Sequence, residues 1–248
     1  MATKVNYIVD QATEAQEKKL QISFRASHLN YFIYSAFLIQ LILNLIWITL
    51  TELAYSHLYG LGKFYFDLED SVPTYFSSII LLFSAILMAI ISLAKIKISD
   101  PFSKHWIILS ILFVFLSIEE VAGFHETIID PLNSLFQFKG YWRFSWVIPG
   151  IIFGLIFAIS YLKFLNSLAS KYKWGLIYAG LVYILGAIFI EMISANIYIN
   201  TFVSAKDILY NLVITLEESC EMLGVMMLIS VLLSYIKSLQ FQISISIK

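Results

Sequence analysis

Charged residues are scarce in this sequence. Asp, Glu, Lys and Arg together make up 13% of the 248 residues, whereas hydrophobic residues make up 60%. Soluble domains carry about 25% charged residues, so this chain has more apolar surface than one soluble core can bury. The surplus is expected to face lipid. A net charge of -1 offers no basic surface for a polyanion, and nucleic acid is not expected as a partner.

Cysteine and several familiar enzyme motifs are also missing or nearly so. Cys220 is the only cysteine, which excludes an internal disulfide framework and a metal site built from several thiolates. The sequence has no nucleotide-binding loop, no serine nucleophile elbow and no cytochrome-type pair of span histidines. Energy-coupled pumping and haem chemistry are therefore not expected. The first apolar run begins only after about thirty residues, unlike that of a cleavable signal peptide, so the first span is expected to stay in the mature protein.

Six apolar segments are long enough to cross a bilayer, which needs about 20 mainly apolar residues per helix. They cover residues 30–53, 76–94, 106–129, 145–165, 174–198 and 208–236. The third and sixth segments qualify despite internal acidic residues. Asp130 and Pro131 are predicted to end the third helix, because proline lacks a backbone donor. The sequence therefore predicts an all-α fold, a polytopic membrane bundle of six transmembrane helices.

Basic residues outside the spans predict the orientation of the bundle. Counted on alternate sides of the membrane, Lys and Arg number twelve against four, and cytoplasmic loops carry the larger number in multi-pass proteins. Both termini are therefore predicted to be cytoplasmic, with residues 1–29 as an amphipathic segment, 30–237 as the transmembrane domain and 238–248 as a tail. The protein is expected in the plasma (inner) membrane if it is bacterial. The aromatic-rich stretch 55–75, on the outer side, is a candidate lid.

The most informative feature is a set of ionisable residues inside the spans. A charged side chain at mid-membrane is costly, so such residues usually face the interior of a bundle and mark a functional site. No Lys or Arg lies deep in any predicted span to neutralise them. Their charge has to be balanced by a metal ion, by protons or by water in an open cavity. The residues are Glu119, Glu120, His125 and Glu126 in span three, Glu191 in span five, and Glu217, Glu218 and Glu221 in span six.

These acidic residues are predicted to meet in one pocket. With a helical rise of about 1.5 Å per residue, most of them lie at a similar depth below the outer ends of three helices. Glu119 and Glu126, seven residues apart, are predicted to share a helix face with the small residues Ala122 and Gly123. Glu191 also shares its face with small and polar residues, and the acids of span six form a polar stripe. Three such faces turned toward one another make a polar pocket open to the outer side.

The chemistry of this cluster suits a divalent metal ion. Carboxylates with one histidine are an oxygen-rich donor set for Mg, Ca, Mn or Fe, and for Zn if the histidine reaches it. The predicted function is metal binding. If the protein is an enzyme, the expected reaction is metal-dependent hydrolysis or oxidation of a lipid-like substrate. Glu120 and Glu217 are the predicted catalytic residues, each a candidate general base. The predicted metal ligands are Glu119, His125, Glu126, Glu191, Glu218 and Glu221.

Two other functions fit the same cluster. Membrane carboxylates can bind a cation or protons alternately as a bundle rearranges, which is the chemistry of a cation- or proton-coupled transporter. The cluster can also belong to a non-catalytic sensor of an external ligand, or to a scaffold for partners. Glu52, near the outer end of span one, is expected to be an ordinary interfacial charge. The sequence leaves these alternatives open.

Overall fold

The computed structural model describes residues 26–53, 60–200 and 208–239. Within these ranges the chain is helical, with no strand. Two 3-10 turns occupy Leu61–Phe64 and Gly140–Trp142, and a π-helical turn occupies Leu185–Ile190. The α-helices of the described residues are α1 (Ala26–Glu52), α2 (Val72–Lys97), α3 (Ser103–Ala122), α4 (Phe124–Thr127), α5 (Ile129–Phe136), α6 (Val147–Ser167), α7 (Ser170–Ile184), α8 (Glu191–Asn200) and α9 (Ile208–Ser238).

Six helical segments are long and apolar enough to cross a membrane. They are Ser27–Glu52, Val72–Lys97, Ser103–Ala122, Val147–Ser167, Ser170–Tyr198 and Ile208–Ser238. The prediction of an all-helical chain with six helices long and apolar enough to cross a membrane is thus confirmed for the described residues, and the chain has the features of a multi-pass membrane protein. Most of the predicted amphipathic segment 1–29 and of the tail 238–248 lies outside the described residues.

The third span is shorter than predicted. α3 ends at Ala122, because Gly123 adopts the left-handed conformation (φ 55°) that commonly closes a helix. A single turn, α4, follows. Asp130 and Pro131 then lie in the first turn of α5, where the missing proline N–H has no helical partner to lose. The predictions that span three continues to residue 129 and that Asp130 and Pro131 end it are therefore wrong.

α9 lies at the centre of the bundle. It packs against α1, α2, α7, α8 and the π-helical turn. α2 pairs closely with α3, and there Ser78 Oγ donates a hydrogen bond to the backbone O of Ser117 at 2.7 Å. α6 is peripheral by contrast, since none of its residues between Val147 and Tyr161 is buried. The centre of α6 therefore presents its side chains to lipid.

Glycine permits the close approach of the fifth span to α9. A Cβ atom on Gly224 would lie 2.7 Å from the backbone N of Tyr183. A Cβ atom on Gly186, in the π-helical turn, would lie 2.6 Å from the backbone O of Glu217. Neither position has room for a side chain, as expected for small residues at a membrane helix interface. The contact at Gly186 holds the π-helical turn against the part of α9 that carries the acidic residues.

The two ends of the bundle carry different charges. The acidic end comprises residues 60–71 and 123–146, which lead from the end of α1 to α2 and from α3 to α6. The lysine end comprises residues 93–106, 163–173 and 235–239. Successive spans run antiparallel, so α1 and α3 end at the acidic end, whereas α2 and α6 end at the lysine end.

Candidate functional site

A cavity of about 190 Å³ opens at the acidic end between α3, the fifth span and α9. All eight ionisable residues that the sequence analysis singled out line it. We call it the carboxylate cavity. Its titratable lining residues are Asp67, Glu69, Glu119, Glu120, His125, Glu126, Tyr183, Glu191, Tyr210, Glu217, Glu218 and Glu221.

The break after α3 places His125 and Glu126 over the cavity. Gly123 turns the chain there, and a Cβ atom on it would lie 2.5 Å from Glu69 Oε1, so the position requires glycine both for its φ and for space. The turn means that Glu119 and Glu126 do not share a helix face, and that prediction is wrong. Both residues nevertheless line the cavity, because α4 folds back over the end of α3.

Glu119 and His125 form a tight pair. Glu119 Oε1 accepts a hydrogen bond from the backbone N of His125 at 3.1 Å and lies 2.5 Å from its ring Nδ1. Burial lowers the pKa of His125, but the Glu119 carboxylate and the charges of Glu126 and Glu120 outweigh it, so the pKa is raised overall. A carboxylate that orients one ring nitrogen leaves the other available, which is the usual arrangement around a metal-binding histidine.

The π-helical turn positions Glu191. This turn interrupts the fifth span directly before Glu191, and such turns change the direction in which the following side chains point. Glu191 is only 7% exposed, and its Oε1 accepts a hydrogen bond from Trp146 Nε1 at 2.5 Å. One turn further, Ser194 Oγ lies 2.9 Å from Glu217 Oε2 and so links the fifth span to α9. Two of the predicted acids are thereby held by specific donors.

α9 contributes three carboxyl groups on neighbouring positions. Glu218 and Glu221 are three residues apart and line the same wall of the cavity. Glu120, on α3, is close enough to Glu218 for their charges to interact. Ser77 on α2 is a polar neighbour of Glu120. Acids from α3 and α9 therefore face each other across the cavity, as the sequence analysis predicted.

Two lining acids, Asp67 and Glu69, were missed by the sequence analysis. Both lie in the 60–71 connection, within the stretch named as a candidate lid. From sequence alone, an acidic residue in a loop cannot be distinguished from an ordinary solvent-exposed charge. Glu69 lies close enough to Glu126 for the two side chains to interact. The one feature of the sequence that could have indicated them was the predicted position of this stretch, on the same outer side as the acidic residues of the spans.

The connection that carries Asp67 is anchored to α1 and α9. Asn44, which is completely buried, accepts a hydrogen bond from the backbone N of Phe66 at 3.2 Å. The Asn44 amide donates in turn to Thr215 Oγ1 at 2.8 Å. Tyr65 OH lies 2.7 Å from Asn211 Oδ1 and 3.2 Å from Asp67 Oδ2. Asn211 and Thr215 of α9 therefore hold this connection in place.

The charge on Asp67 is sensitive to its surroundings. Its side chain is accessible through the open mouth of the cavity, yet protein atoms surround it on most sides. Burial raises the pKa of Asp67 to about 6; the hydrogen bond from Tyr65 opposes this rise and the charge of Glu126 adds to it. Asp67 is therefore a carboxyl group that gains a proton in mildly acidic solution.

The cavity combines many negative groups with no matching cation. Nine Asp and Glu side chains and His125 line it, and no Lys or Arg is among the lining residues. Within the part of the chain that the structure describes, no three His, Cys, Asp or Glu side chains are grouped closely enough to hold a metal ion. The assignment of individual residues as metal ligands or as general bases stays a prediction.

Residues 34–236 match the family DUF8692, described as a domain of unknown function. The chain belongs to this family. The part of the chain matched to DUF8692 includes every residue that lines the carboxylate cavity. No curated protein and no solved structure shows a significant match to the chain. The arguments for a function of this DUF8692 protein therefore come from the chemistry of the cavity.

Proposed function

We propose that the protein binds a divalent metal ion in the carboxylate cavity and uses it to act on a lipid-like substrate. One observation carries the proposal: acidic residues from three separate spans line a single cavity, together with His125 and two loop acids and without a lysine or arginine. Packing alone does not favour such a cluster, because each buried charge without a partner is costly.

The electrostatics of the cavity favour a cation of more than one charge. Carboxylates that share a small space repel one another, and the repulsion is relieved either by protons or by a bound cation. Glu218 is near Glu120 and Glu217, and Glu221 is near Glu218, so several negative groups would act on one ion. A divalent ion offsets twice the charge that a proton does. Metal binding would therefore also release protons.

The size of the cavity suits an ion that keeps part of its water. A volume of about 190 Å³ is enough for roughly six water molecules at about 30 Å³ each. Mg²⁺ usually keeps several water ligands, and Ca²⁺ and Mn²⁺ also accept carboxylates with water. Water in the first coordination sphere, or small rotations of the carboxyl groups, would bring an ion within reach of Glu120, Glu218 and Glu221. The nitrogen of His125 that does not face Glu119 adds a ligand suited to Mn²⁺, Fe²⁺ or Zn²⁺.

Two residues are candidates for moving protons in such a reaction. A divalent ion in the cavity would polarise a carbonyl or phosphoryl group and acidify water. Glu120 and Glu217 are the candidates to accept the proton, and Ser194 Oγ, 2.9 Å from Glu217, fixes one carboxylate oxygen. A lipid-like substrate fits the position of the site, because Trp146, which lines the cavity, directly precedes α6, a helix with many exposed apolar side chains.

The orientation is part of the proposal. With both termini in the cytoplasm, the acidic end and its cavity face the outer side, and a substrate would enter from the outer leaflet or from outside. Labelling with a membrane-impermeant thiol reagent tests the orientation. The variant carries Lys139→Cys as its single cysteine, in a Cys220→Ser background. Labelling of intact cells supports the orientation, and labelling only after lysis contradicts it.

Metal binding is tested on protein purified in mild detergent without chelators. Wild type incubated with Mn²⁺ or Zn²⁺ and then desalted is expected to keep close to one ion per chain, as measured by elemental analysis. The Glu218→Gln variant is expected to lose most of it, because a neutral amide replaces a central carboxylate. Glu52→Gln is the matched control, since Glu52 lies outside the cavity. Equal metal content in wild type and Glu218→Gln would contradict the proposal.

Catalysis is tested separately by lipid analysis. Proteoliposomes made from a natural lipid extract are incubated with Mn²⁺, and products are followed by mass spectrometry. At least one of the variants Glu120→Gln and Glu217→Gln is expected to keep the metal but form no product. A general base can be removed without removing a metal ligand. If the metal-loaded wild type releases no product from any lipid, the catalytic part of the proposal is wrong while the metal site stands.

Cation transport is the second candidate, and the π-helical turn favours it. The fifth span is interrupted at Leu185–Ile190, next to Glu191, and a break of this kind can act as a hinge. Uptake of Mn²⁺ into proteoliposomes that contain a quenchable dye separates the two candidates. Uptake that Glu191→Gln abolishes would favour transport, whereas metal binding without uptake favours the enzyme.

A further inference from the structure

A second cavity lies at the opposite end of the bundle, where the proposed function has no role for it. Its volume is about 470 Å³, within the range of roughly 300–1,000 Å³ that small-molecule sites occupy. It opens between the end of α2, the start of α3, the turn from α6 to α7 and the end of α9. We call it the lysine-end cavity.

One cation faces this cavity. Lys95 Nζ donates a hydrogen bond to Asp100 Oδ2 at 2.8 Å, and the two side chains are only 15% and 20% exposed. The same Nζ lies 5.7 Å from the ring centroid of Tyr235. An ammonium group has three N–H donors, and the bond to Asp100 uses one of them. Lys95 can therefore receive an anion without giving up its aspartate.

Aromatic rings form the wall beside Lys95. Trp106 is 1% exposed and stacks on Tyr235 with ring centroids 5.4 Å apart. Phe164 meets Trp106 edge to face at 5.1 Å, and Tyr172 meets Tyr235 at 4.8 Å. Rings that are apolar on their faces and polar at one edge favour the headgroup and glycerol level of a bilayer. The wall thus places aromatic side chains next to Lys95, the one cation among the lining residues, and its partner Asp100, which also lines the cavity.

The surroundings of the cavity are strongly basic. Among the described residues of the lysine end and its flanking turns, seven lysines stand against one acid, Asp100. Basic pockets between transmembrane helices attract anionic lipid headgroups, and each lysine near the surface adds about 1 kcal/mol. The lysines are Lys95, Lys97, Lys104, Lys163, Lys171, Lys173 and Lys237.

We propose that the lysine-end cavity binds the phosphate headgroup of an anionic phospholipid. The phosphate contacts Lys95, and the glycerol region lies against Trp106 and Tyr235, with the acyl chains in the bilayer beside α6. This site is independent of the carboxylate cavity and of any metal. Its occupant is a membrane lipid, because the aromatic wall adds an apolar contact that a free phosphate ion cannot use.

The test compares lipid binding by native mass spectrometry of the detergent-solubilised full chain. The probe is phosphatidylglycerol, and the competitor is sn-glycerol 3-phosphate, which has the phosphate but no acyl chains. Wild type is expected to keep one phosphatidylglycerol with preference over phosphatidylcholine. Lys95→Gln is expected to weaken that binding about fivefold, the loss of one lysine contact. Lys139→Gln is the matched control, because Lys139 is exposed and lies at the opposite, acidic end of the bundle.

A second variant separates loss of the site from loss of folding. Ala169→Trp fills the cavity mouth without changing charge, and it is expected to reduce binding while the melting temperature of the lipid-free protein stays within a few degrees of wild type. Equal binding by wild type, Lys95→Gln and Ala169→Trp would overturn the proposal. Displacement of the lipid by millimolar sn-glycerol 3-phosphate would overturn it too, because the site would then recognise a free phosphate.

Discussion

The two ends of the bundle balance their charges in different ways. At the lysine end, Lys95 is neutralised within the chain by Asp100, 2.8 Å away. At the acidic end, nine carboxyl side chains line one cavity with no lysine or arginine among its lining residues. A charge that has a partner contributes to structure, whereas charges left without one require something from outside the chain. The difference identifies the acidic end as the part that needs a balancing cation.

The region between the ends keeps them apart. Along α9 from residue 222 to residue 232, every buried side chain is apolar, and Met222, Ile229 and Leu232 are completely buried. Charges placed at one end are screened little by water across such a layer, but they are too distant to pair. A substitution at one end therefore makes no direct contact with residues at the other end. Variants at the two ends serve as controls for each other.

The largest effect is expected where the fifth span touches α9. Gly186→Leu would place its side chain against the backbone of Glu217 and the side chain of Glu221, and we expect it to destabilise the protein by about 3 kcal/mol. Gly154→Leu is the control, because nothing lies within 4 Å of a Cβ atom on Gly154. Thermal unfolding in detergent checks both. Similar melting temperatures for the two variants would show that the close contact does not exist.

The next effect concerns the anchor of the 60–71 connection. Asn44→Ala leaves the backbone N–H of Phe66 without its partner and removes the amide that donates to Thr215 Oγ1, and we expect a loss of about 2 kcal/mol of stability. Gln40→Leu is the contrast, because Gln40 Oε1 is buried without a partner, so its replacement should be neutral or stabilising. Chemical unfolding followed by tryptophan fluorescence measures both. A larger loss for Gln40→Leu than for Asn44→Ala would contradict the anchor.

The acidic end is expected to lose its cation as the pH falls. The pKa of Asp67 is raised to about 6 by burial, with Tyr65 opposing and Glu126 adding to the rise. The carboxyl group is therefore protonated below that pH, and a cation then has to displace the proton. We expect Mn²⁺ affinity to fall up to about tenfold for each pH unit below 6. Titrations between pH 7.5 and 5 check this, and Asp67→Asn should show a shallower dependence. Affinity that rises as the pH falls would contradict the site.

The smallest effect is expected at Trp146. Trp146→Phe removes the indole N–H that donates to Glu191, and the loss of one hydrogen bond to a carboxylate is worth about 1.5 kcal/mol. Mn²⁺ affinity should change by less than about tenfold. Trp174→Phe, at the lysine end, is the control and should leave the affinity unchanged. An equal change in both variants would mean that Glu191 is not part of the site.

Much of the fold could be predicted from the sequence, because helices that cross lipid need long, mainly apolar segments, which are easily recognised. Long apolar runs gave six spans within a few residues of their observed bounds, except where Gly123 closes α3 early. A glycine within an apolar run looks the same in a continuous helix and in a left-handed helix end. The π-helical turn at Leu185–Ile190 left no sequence signal either, since its residues are as apolar as their neighbours.

The candidate site was predictable in its membrane part and not in its loop part. Seven acidic residues and one histidine could be predicted, because ionisable groups inside apolar spans are rare. Asp67 and Glu69 lie in a connection, where acidic residues are ordinary, and only the folded chain brings them over the cavity. The pairing of His125 with Glu119 required the break at Gly123 and could not follow from the spacing on a continuous helix.

The central claim is that acids from separate helices form one cation site, and a double-mutant cycle tests it most directly. Mn²⁺ affinity is measured by electron paramagnetic resonance for wild type, Glu120→Gln on α3, Glu218→Gln on α9 and the double variant. We expect each single change to weaken binding about tenfold or more, and the double variant to depart at least about fivefold from the product of the single effects. No loss of affinity in the single variants, or effects that simply multiply, would contradict a shared site.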